Sequence, residues 1–250
     1  MGLHVRVWRR LLRAVRSPSS ALRTLSWLLR LNARARDSRS QLGPTRAKSG
    51  GLENCEIFVI NLAHRQDRLR DVDRELKRIG VNNYVRFDAV PHDQGIIGCT
   101  ESHFRVVQQT PEEGQLLMVC EDDLEFLGSR EEIDECVAEF VSNTMLDVLC
   151  LAYNVRGKSL RVSDRLSITN SLQTASCYLV KRRALPALRM NLGEAVTKLV
   201  AGGSPERFAN DIHWKKLQQR ELVFCYPAKR IARQRASFSD IENKQVDYGL

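Results

Sequence analysis

Residues 56–80 read EIFVINLAHRQDRLRDVDRELKRIG, a stretch that combines two hydrophobic periods. Its first part, the apolar and β-branched run 57–60, is typical of a buried strand. The charged part, 67–78, repeats apolar side chains at helical spacing, and Gly80 follows as a helix terminator. A strand followed at once by an amphipathic helix is the building unit of α/β domains.

The same alternation continues along the chain. Strands are expected at 84–87, 116–120, 148–153 and 175–180, helices at 99–109, 131–140 and after residue 180, and a helix–strand pair within 210–226. We find no internal repeat. The pattern predicts an α/β fold that begins near Asn54, with a mostly parallel sheet and ligands at the carboxyl ends of its strands.

Charge divides the 250 residues into two parts. The formal net charge is +9, but residues 1–50 hold 12 Lys and Arg against one acid, whereas residues 51–250 hold 27 Lys and Arg against 29 Asp and Glu. A hydrophobic content of 43% is sufficient for one core. We interpret residues 1–50 as a basic amphipathic tail and linker and residues 54–250 as the folded domain. Because the domain is not basic, nucleic acid is not an expected partner.

The tail has the pattern of helices that lie on a membrane surface. On a helical wheel five arginines fall opposite an apolar arc, namely Arg6, Arg9, Arg10, Arg13 and Arg16. After a break at Ser17-Pro18 a second apolar stripe follows, made of Leu22, Leu25, Trp27, Leu28 and Leu29. This favours an anionic membrane surface as partner of residues 1–35, on the cytoplasmic face. A transit peptide and a solvated or nucleic-acid-binding arm are the alternatives.

Hydropathy and cysteine usage exclude other classes. No uncharged apolar run is long enough to cross a bilayer, and recurring arginines interrupt any secretory signal. The seven cysteines form no CxxC pair and no dense cluster. They fit reduced thiols in a cytosol-like compartment, with a mainly structural role.

The strand expected at 116–120 ends abruptly in Glu121-Asp122-Asp123. Three consecutive carboxylates repel one another unless a cation neutralises them, and Mg²⁺ and Mn²⁺ prefer carboxylate oxygens together with phosphates. In an extended turn Glu121 and Asp123 share a side, so they could hold a metal that bridges a diphosphate. The alternative is a solvated acidic turn.

Several motifs occur in an order and spacing that resembles the family 25 glycosyltransferases. They are IFVINL at 57–62 followed by His64, Arg65 and Arg68, then IGCTESH at 97–103, and then Glu121-Asp122-Asp123. Two later segments add to the resemblance, TASCYLV at 174–180 with Ala184, and DIHW at 211–214. The similarity spans about residues 55–235. The family includes bacterial lipopolysaccharide β-galactosyltransferases and collagen galactosyltransferases.

The resemblance implies a GT-A-like fold and a divalent metal, Mn²⁺ or Mg²⁺, held by Glu121 and Asp123. It implies a nucleotide-sugar donor, most often a UDP-hexose such as UDP-galactose. The reaction would be inverting transfer to a hydroxyl of a cell-envelope glycan or glycolipid. Departures occur at Glu101, where the family has an apolar residue, and at Asp67-Arg68-Leu69, where it often has adjacent arginines. They bear on the donor and acceptor more than on the reaction class.

The donor site is expected to use residues from the first two motifs, namely Asn61, Leu62, Arg65, Arg68, Gly98, Ser102 and His103. Arg65 and Arg68 could face the base or the diphosphate, although solvated helix arginines are the alternative. Gly98 allows close backbone approach, and Ser102 and His103 are expected at the first turn of the following helix.

An inverting displacement needs a carboxylate that takes the acceptor's proton. We assign this base to Asp211, with a helix N-cap as the alternative, and we expect Asp122 to orient the donor sugar. The stretch 234–241 resembles a tail of some relatives, in which Ser239 and Asp240 would cover the nucleotide or form a surface turn.

Two other function classes compete with the enzyme. One is a catalytically inactive glycosyltransferase-like module, docked on anionic membrane or nucleic acid by its basic tail. The other is a metal-dependent phosphohydrolase, which is disfavoured because its usual multiple His/Asp clusters are missing from the sequence.

Overall fold

A computed structural model describes residues 24–34, 50–239 and 244–246, with 237–239 and 244–246 as backbone. Its helices are α1 (24–34), α2 (Gln66–Arg78), α3 (Gly95–Gln109), α4 (Arg130–Ser142), α5 (Leu185–Val200), α6 (Pro205–Phe208), α7 (Asn210–His213) and α8 (Lys215–Arg220). The arginine-faced first part of the tail and Asp240 lie outside the described residues.

The strands are numerous and mostly short. They are β1 (Cys55–Asn61), β2 (Val85–Asp88), β3 (Leu116–Glu121), β4 (Leu124–Phe126), β5 (Val148–Cys150), β6 (Asn154–Val155), β7 (Ser159–Arg161), β8 (Leu166–Thr169), β9 (Leu172–Gln173), β10 (Cys177–Val180), β11 (Phe224–Pro227), β12 (Ala232–Gln234), β13 (Ser237–Ser239) and β14 (Lys244–Val246).

Eight strands form one central sheet in the order β2-β1-β3-β10-β5-β11-β8-β7. The ladders of β1 with β2, β1 with β3, and β5 with β11 are parallel. β10 lies antiparallel between β3 and β5, and β8 lies antiparallel between β11 and β7. Only β8 and β10 therefore run in the opposite direction to the other six strands of this sheet. This confirms the predicted α/β fold with a mostly parallel sheet.

Helices cover both faces of the sheet, and this explains why its central strands are apolar throughout. Along β3, Leu117 and Val119 belong to one core cluster, whereas Met118 and Cys120 belong to the other. α1, α2 and α4 contribute side chains to the Met118 cluster, and α3 and α5 contribute to the Leu117 cluster. The positive φ of 72° at Gly80 agrees with its expected place after α2.

Part of the second apolar stripe of the tail packs against the domain. In α1, Trp27, Leu28 and Leu31 are buried in the same cluster as Met118. An Arg34–Asp147 ion pair and a hydrogen bond of 2.8 Å from Arg30 Nη2 to the Gln218 carbonyl also attach α1. The domain therefore covers Trp27 and Leu28 of the expected membrane-facing stripe, whereas Leu29 is exposed, and a membrane contact of the tail stays a prediction.

No helix in the described parts of the chain combines the length and apolar character needed to cross a membrane. All seven cysteines are free thiols, and five of them are buried. This agrees with the structural role expected for most of them.

α3 begins four residues earlier than the sequence pattern suggests, at Gly95. Gln94 precedes it without a side-chain cap, so no Ser, Thr, Asp or Asn marks the start. Ser102 and His103 consequently lie in the interior of α3, which corrects their expected place at its first turn.

Candidate active site

The carboxyl ends of β1 and β3 meet because Ile60 pairs with Glu121 in a parallel register. This brings Asn61, at the end of β1, next to Asp122. Asn61 Nδ2 donates hydrogen bonds to Asp122 Oδ2 at 2.7 Å and to the Arg65 carbonyl at 3.0 Å. The acidic turn thus lies at the sheet edge where α/β domains bind ligands.

Arg68 lies against two of the three carboxylates. Its Nε is 2.9 Å from Asp122 Oδ1, and its Nη2 is 2.6 Å from Asp123 Oδ2. Asp122 and Asp123 are buried, so this guanidinium supplies part of the positive charge that they need. Arg65, one turn earlier, forms its ion pair with exposed Asp67. Leu62 is half-buried and accepts the Arg65 amide at its carbonyl.

Glu121 has a separate set of partners. His103 Nε2 is 2.9 Å from Oε1, Ser176 Oγ donates to Oε2 at 3.1 Å, and Cys99 Sγ donates to Oε1 at 3.7 Å. Burial by itself raises the pKa of Glu121, but the hydrogen bonds with His103 and Ser176 outweigh burial and the pKa is lowered. Glu121 and Asp123, expected to share one metal, are held by different neighbours.

Asp123 keeps an unused carboxylate oxygen. Its Oδ2 contacts Arg68 and accepts a hydrogen bond of 3.0 Å from Gln234 Nε2, whereas its buried Oδ1 has no hydrogen-bond partner among the described residues. Burial, followed by the charge of Glu121, raises the pKa of Asp123 to about 7. An unpartnered buried carboxylate oxygen is a position that a cation can occupy.

Asp211 is neither a helix N-cap nor a surface residue. Ala209 is the N-cap of α7, and Asp211 Oδ2 accepts a hydrogen bond of 3.0 Å from the amide of Thr174. Burial raises the pKa of Asp211. Thr174 has a φ of 78°, which is strained for a β-branched residue, and its Oγ1 accepts a hydrogen bond of 3.1 Å from Asn154 Nδ2.

Gly98 and Ser102 make contacts within α3 and with the loop that precedes it. Ser102 Oγ donates to the Gly98 carbonyl at 2.6 Å and accepts from the Val90 amide at 2.9 Å, so its hydroxyl is already used. A Cβ added to Gly98 would lie 2.3 Å from the Val90 carbonyl oxygen. Both residues thus pack α3 on the preceding loop, and their contact with a nucleotide stays a prediction.

Several residues at the site were missing from the sequence prediction. Tyr178 Oη lies 3.0 Å from His103 Nδ1, and Arg86 Nε donates to Asn61 Oδ1 at 3.1 Å. Ser176 comes from the same segment as Tyr178, and Gln234 comes from β12. Cys99 had a usable signal, since it precedes His103 by four residues on a helix, and Ser176 and Tyr178 lie within the TASCYLV motif.

Cys99 Sγ, His103 Nε2 and a Glu121 oxygen lie within 4.8 Å of one another. A hard divalent ion such as Mg²⁺ would bind instead next to this cluster, at the turn formed by Asp122 and Asp123. The residues fit such an ion, because the buried Asp123 Oδ1 has no hydrogen-bond partner among the described residues.

No protein-family profile and no curated protein matches the sequence. The solved structures that show some similarity include three glycosyltransferases. A glycosyltransferase that modifies the major capsid of PBCV-1 is 9% identical over 68% of this chain and 92% of its own, with a TM-score of 0.39. A mutant Drosophila β-1,4-galactosyltransferase 7, solved with manganese, UDP-Gal and xylobiose, is 12% identical over 78% and 76%, with a TM-score of 0.41. Mouse xyloside xylosyltransferase 1 is 11% identical over 78% of both chains, with a TM-score of 0.38.

All three structures are glycosyltransferases. Their identities are low and their TM-scores lie below 0.5. The function therefore has to be argued from the residues of the site, and the resemblance to family 25 depends on the sequence motifs.

Proposed function

We propose that this chain is a metal-dependent glycosyltransferase that moves a hexose from a UDP-sugar to a hydroxyl of a glycan or glycolipid, with inversion. The observation that carries the proposal is the buried acidic cluster at the ends of β1 and β3, with one unpartnered carboxylate oxygen on Asp123. The nucleotide-sugar donor is inferred from the resemblance of the sequence motifs to family 25. The donor hexose could be galactose, as in the relatives that the resemblance names.

Asp123, through its unpartnered Oδ1, would hold Mn²⁺ or Mg²⁺, which would supply charge neutralisation for the departing diphosphate. This revises the expected ligand pair, because both oxygens of Glu121 already have partners in His103, Ser176 and Cys99. Arg68 is positioned to exchange its contact with the aspartates for a diphosphate oxygen. Asn61, Leu62 and Arg65 would border the nucleotide at the end of β1.

Asp211 is the proposed catalytic base. The Thr174 amide holds one of its oxygens, and burial raises the pKa of the carboxyl, which makes the carboxylate a stronger base than an exposed one. Asp122 is fixed by Asn61 and Arg68, and in this proposal it orients the donor sugar. The proton of the acceptor hydroxyl passes to Asp211 as the new glycosidic bond forms and the bond to the diphosphate breaks.

A second candidate is a binding module without turnover. It is favoured by the contact of Arg68 with Asp122 and Asp123, because an internal cation can satisfy these acids without a metal. In both candidates the arginine-faced residues 6–16 would bring the chain to an anionic membrane surface, where a glycolipid acceptor is presented.

Calorimetry of UDP with and without Mn²⁺, followed by a turnover screen of UDP-, GDP- and CMP-sugars, tests the proposal. We expect Mn²⁺-dependent UDP binding that Asp123→Asn abolishes and that the exposed control Asp164→Asn retains. UDP binding without turnover of any donor would favour the binding module. If the chain neither binds UDP nor turns over any donor, the glycosyltransferase proposal is rejected.

A further inference from the structure

We propose that Cys99, His103 and Glu121 form a second metal site, one for a borderline-soft divalent ion such as Zn²⁺. It is separate from the hard-ion ligands at Asp122 and Asp123. The proposal does not depend on the glycosyltransferase function, because it rests on the placement and chemistry of these three side chains.

Two elements bring the three side chains together. Cys99 and His103 are four residues apart on α3, so both project from the same helix face. Glu121 is the last residue of β3, and its Oε1 lies 2.9 Å from His103 Nε2 and 3.7 Å from Cys99 Sγ. All three candidate ligand atoms thus converge on one point between helix and sheet.

The observed spacing is close to that of a tetrahedral zinc site. With Zn–S of about 2.3 Å and Zn–N and Zn–O of about 2.0–2.1 Å, neighbouring ligand atoms lie roughly 3.3–3.6 Å apart. The distance from His103 Nε2 to Glu121 Oε1, 2.9 Å, lies below this range, and the distance from Cys99 Sγ to Glu121 Oε1, 3.7 Å, lies above it. All three ligand atoms fall within 4.8 Å of one another. To reach tetrahedral spacing, His103 Nε2 and Glu121 Oε1 have to move apart, and Cys99 Sγ has to move slightly closer to Oε1.

The remaining polar atoms of His103 and Glu121 already have partners outside the cluster. Tyr178 Oη lies 3.0 Å from His103 Nδ1, and Ser176 Oγ donates to Glu121 Oε2 at 3.1 Å. Hydrogen bonds of this kind orient metal-binding histidines and carboxylates and fix the histidine tautomer. In the tautomer whose Nδ1–H donates to Tyr178, the Nε2 lone pair faces Glu121 Oε1 and a metal ion between the two would bind both; in the other tautomer Nε2–H donates to Glu121.

The chemistry of the three ligands selects the ion. A thiolate, an imidazole and a carboxylate suit Zn²⁺, whereas Mg²⁺ and Mn²⁺ prefer oxygens alone. Binding would release the Cys99 thiol proton and the proton between His103 and Glu121 to solvent. Cys99 and Glu121 are both partly exposed, which provides an entry path. Three protein ligands leave a fourth position for water or a substrate group.

The test uses the full chain, stripped of metal and titrated with Co²⁺ as a spectroscopic probe and then with Zn²⁺. We expect a thiolate charge-transfer band that saturates at one Co²⁺ per chain and that Zn²⁺ abolishes. Cys99→Ser should remove the band and weaken Zn²⁺ binding at least tenfold. Cys55→Ser, another partly exposed thiol, should change neither. Tyr178→Phe should keep the band and weaken binding roughly 10-fold or more.

Alkylation of the wild-type chain, followed by mass spectrometry of each cysteine, provides a measurement that needs no variant. Zn²⁺ should protect Cys99 and leave the alkylation of Cys55 unchanged. Absence of stoichiometric binding, a charge-transfer band that persists in Cys99→Ser, or equal Cys99 alkylation with and without Zn²⁺ would overturn the proposal. UDP binding with Mn²⁺ is measured on the same samples, so failure of this site and failure of the glycosyltransferase are distinguished.

Discussion

At the scale of single residues, Asp123 should make the stability of the chain depend on pH. Its pKa is raised from an ordinary 3.8 to about 7, so the folded state binds the proton more tightly than the unfolded state does. This stabilisation is present below about pH 4 and is lost as the pH rises toward 7. Metal-free Asp123→Asn has no group that titrates at this position. As the pH rises, its unfolding free energy should therefore fall less than that of the wild type, by on the order of 1–4 kcal/mol.

Urea denaturation of wild type, Asp123→Asn and the exposed control Asp164→Asn at pH 5 and pH 8 measures this effect. The control should follow the wild type. If the unfolding free energies of Asp123→Asn and wild type depend on pH in the same way, the pKa of Asp123 is not raised by burial.

Arg68 should be the main internal counter-charge of the acidic turn. Removing one partner of a buried ion pair leaves uncompensated charge, so Arg68→Gln should destabilise the metal-free chain by about 3–5 kcal/mol. Arg74→Gln, on the same helix and with an exposed ion pair to Asp71, should cost about 1 kcal/mol or less. Thermal unfolding should show Mn²⁺ recovering part of the loss in Arg68→Gln. Equal losses in the two variants would contradict the role of Arg68.

At this scale the sequence prediction included the acids and three residues that contact them, Asn61, Arg68 and His103, but not Ser176, Tyr178 or Gln234. Glu121-Asp122-Asp123 were recognisable because they end an apolar strand, and Asn61 because it ends the neighbouring one. Ser176 and Tyr178 reach Glu121 and His103 only because β10 inserts antiparallel between β3 and β5. Such an insertion is a long-range pairing, and no local hydrophobic period encodes it.

At the scale of elements, the connection from β9 to β10 depends on Asp211 in α7. Asp211→Asn keeps an oxygen that can accept the Thr174 amide but removes the negative charge. We therefore expect it to keep the fold and to lose sugar transfer, with circular dichroism and donor turnover as the two measurements. Asp211→Ala removes the acceptor as well, so it should also lower stability, by about 1–3 kcal/mol. Transfer retained in Asp211→Asn would exclude Asp211 as the base.

Elements with a strong local period were predictable, and short ones were not. β1, α2 and β3 follow from their apolar runs and from Gly80. The strands β4, β6, β9 and β12 have two or three residues each, too few for alternation to be visible. α3 extends to Gly95 because the chain before Cys99 continues its helical hydrogen bonds without a capping side chain to announce them.

At the scale of the whole molecule, α1 should behave as part of the domain although it lies within the basic tail. Trp27 is 1% exposed and packs in the core cluster of the sheet. Trp27→Ala should therefore lower the unfolding free energy by about 3–5 kcal/mol, as large-to-small changes in cores do. Leu29, on the same helix, is 55% exposed, and Leu29→Ala should change stability by about 0.5 kcal/mol or less.

Urea denaturation of both variants, combined with sedimentation on anionic liposomes, separates packing from membrane binding. If α1 docks on the domain, Trp27→Ala lowers the stability of the domain. Neither Trp27→Ala nor Leu29→Ala then weakens binding to liposomes. If α1 instead lies on the membrane, Trp27→Ala weakens liposome binding and leaves the stability of the domain unchanged. The first outcome would restrict any membrane contact of the tail to residues before α1, where Arg6, Arg9, Arg10, Arg13 and Arg16 concentrate the positive charge.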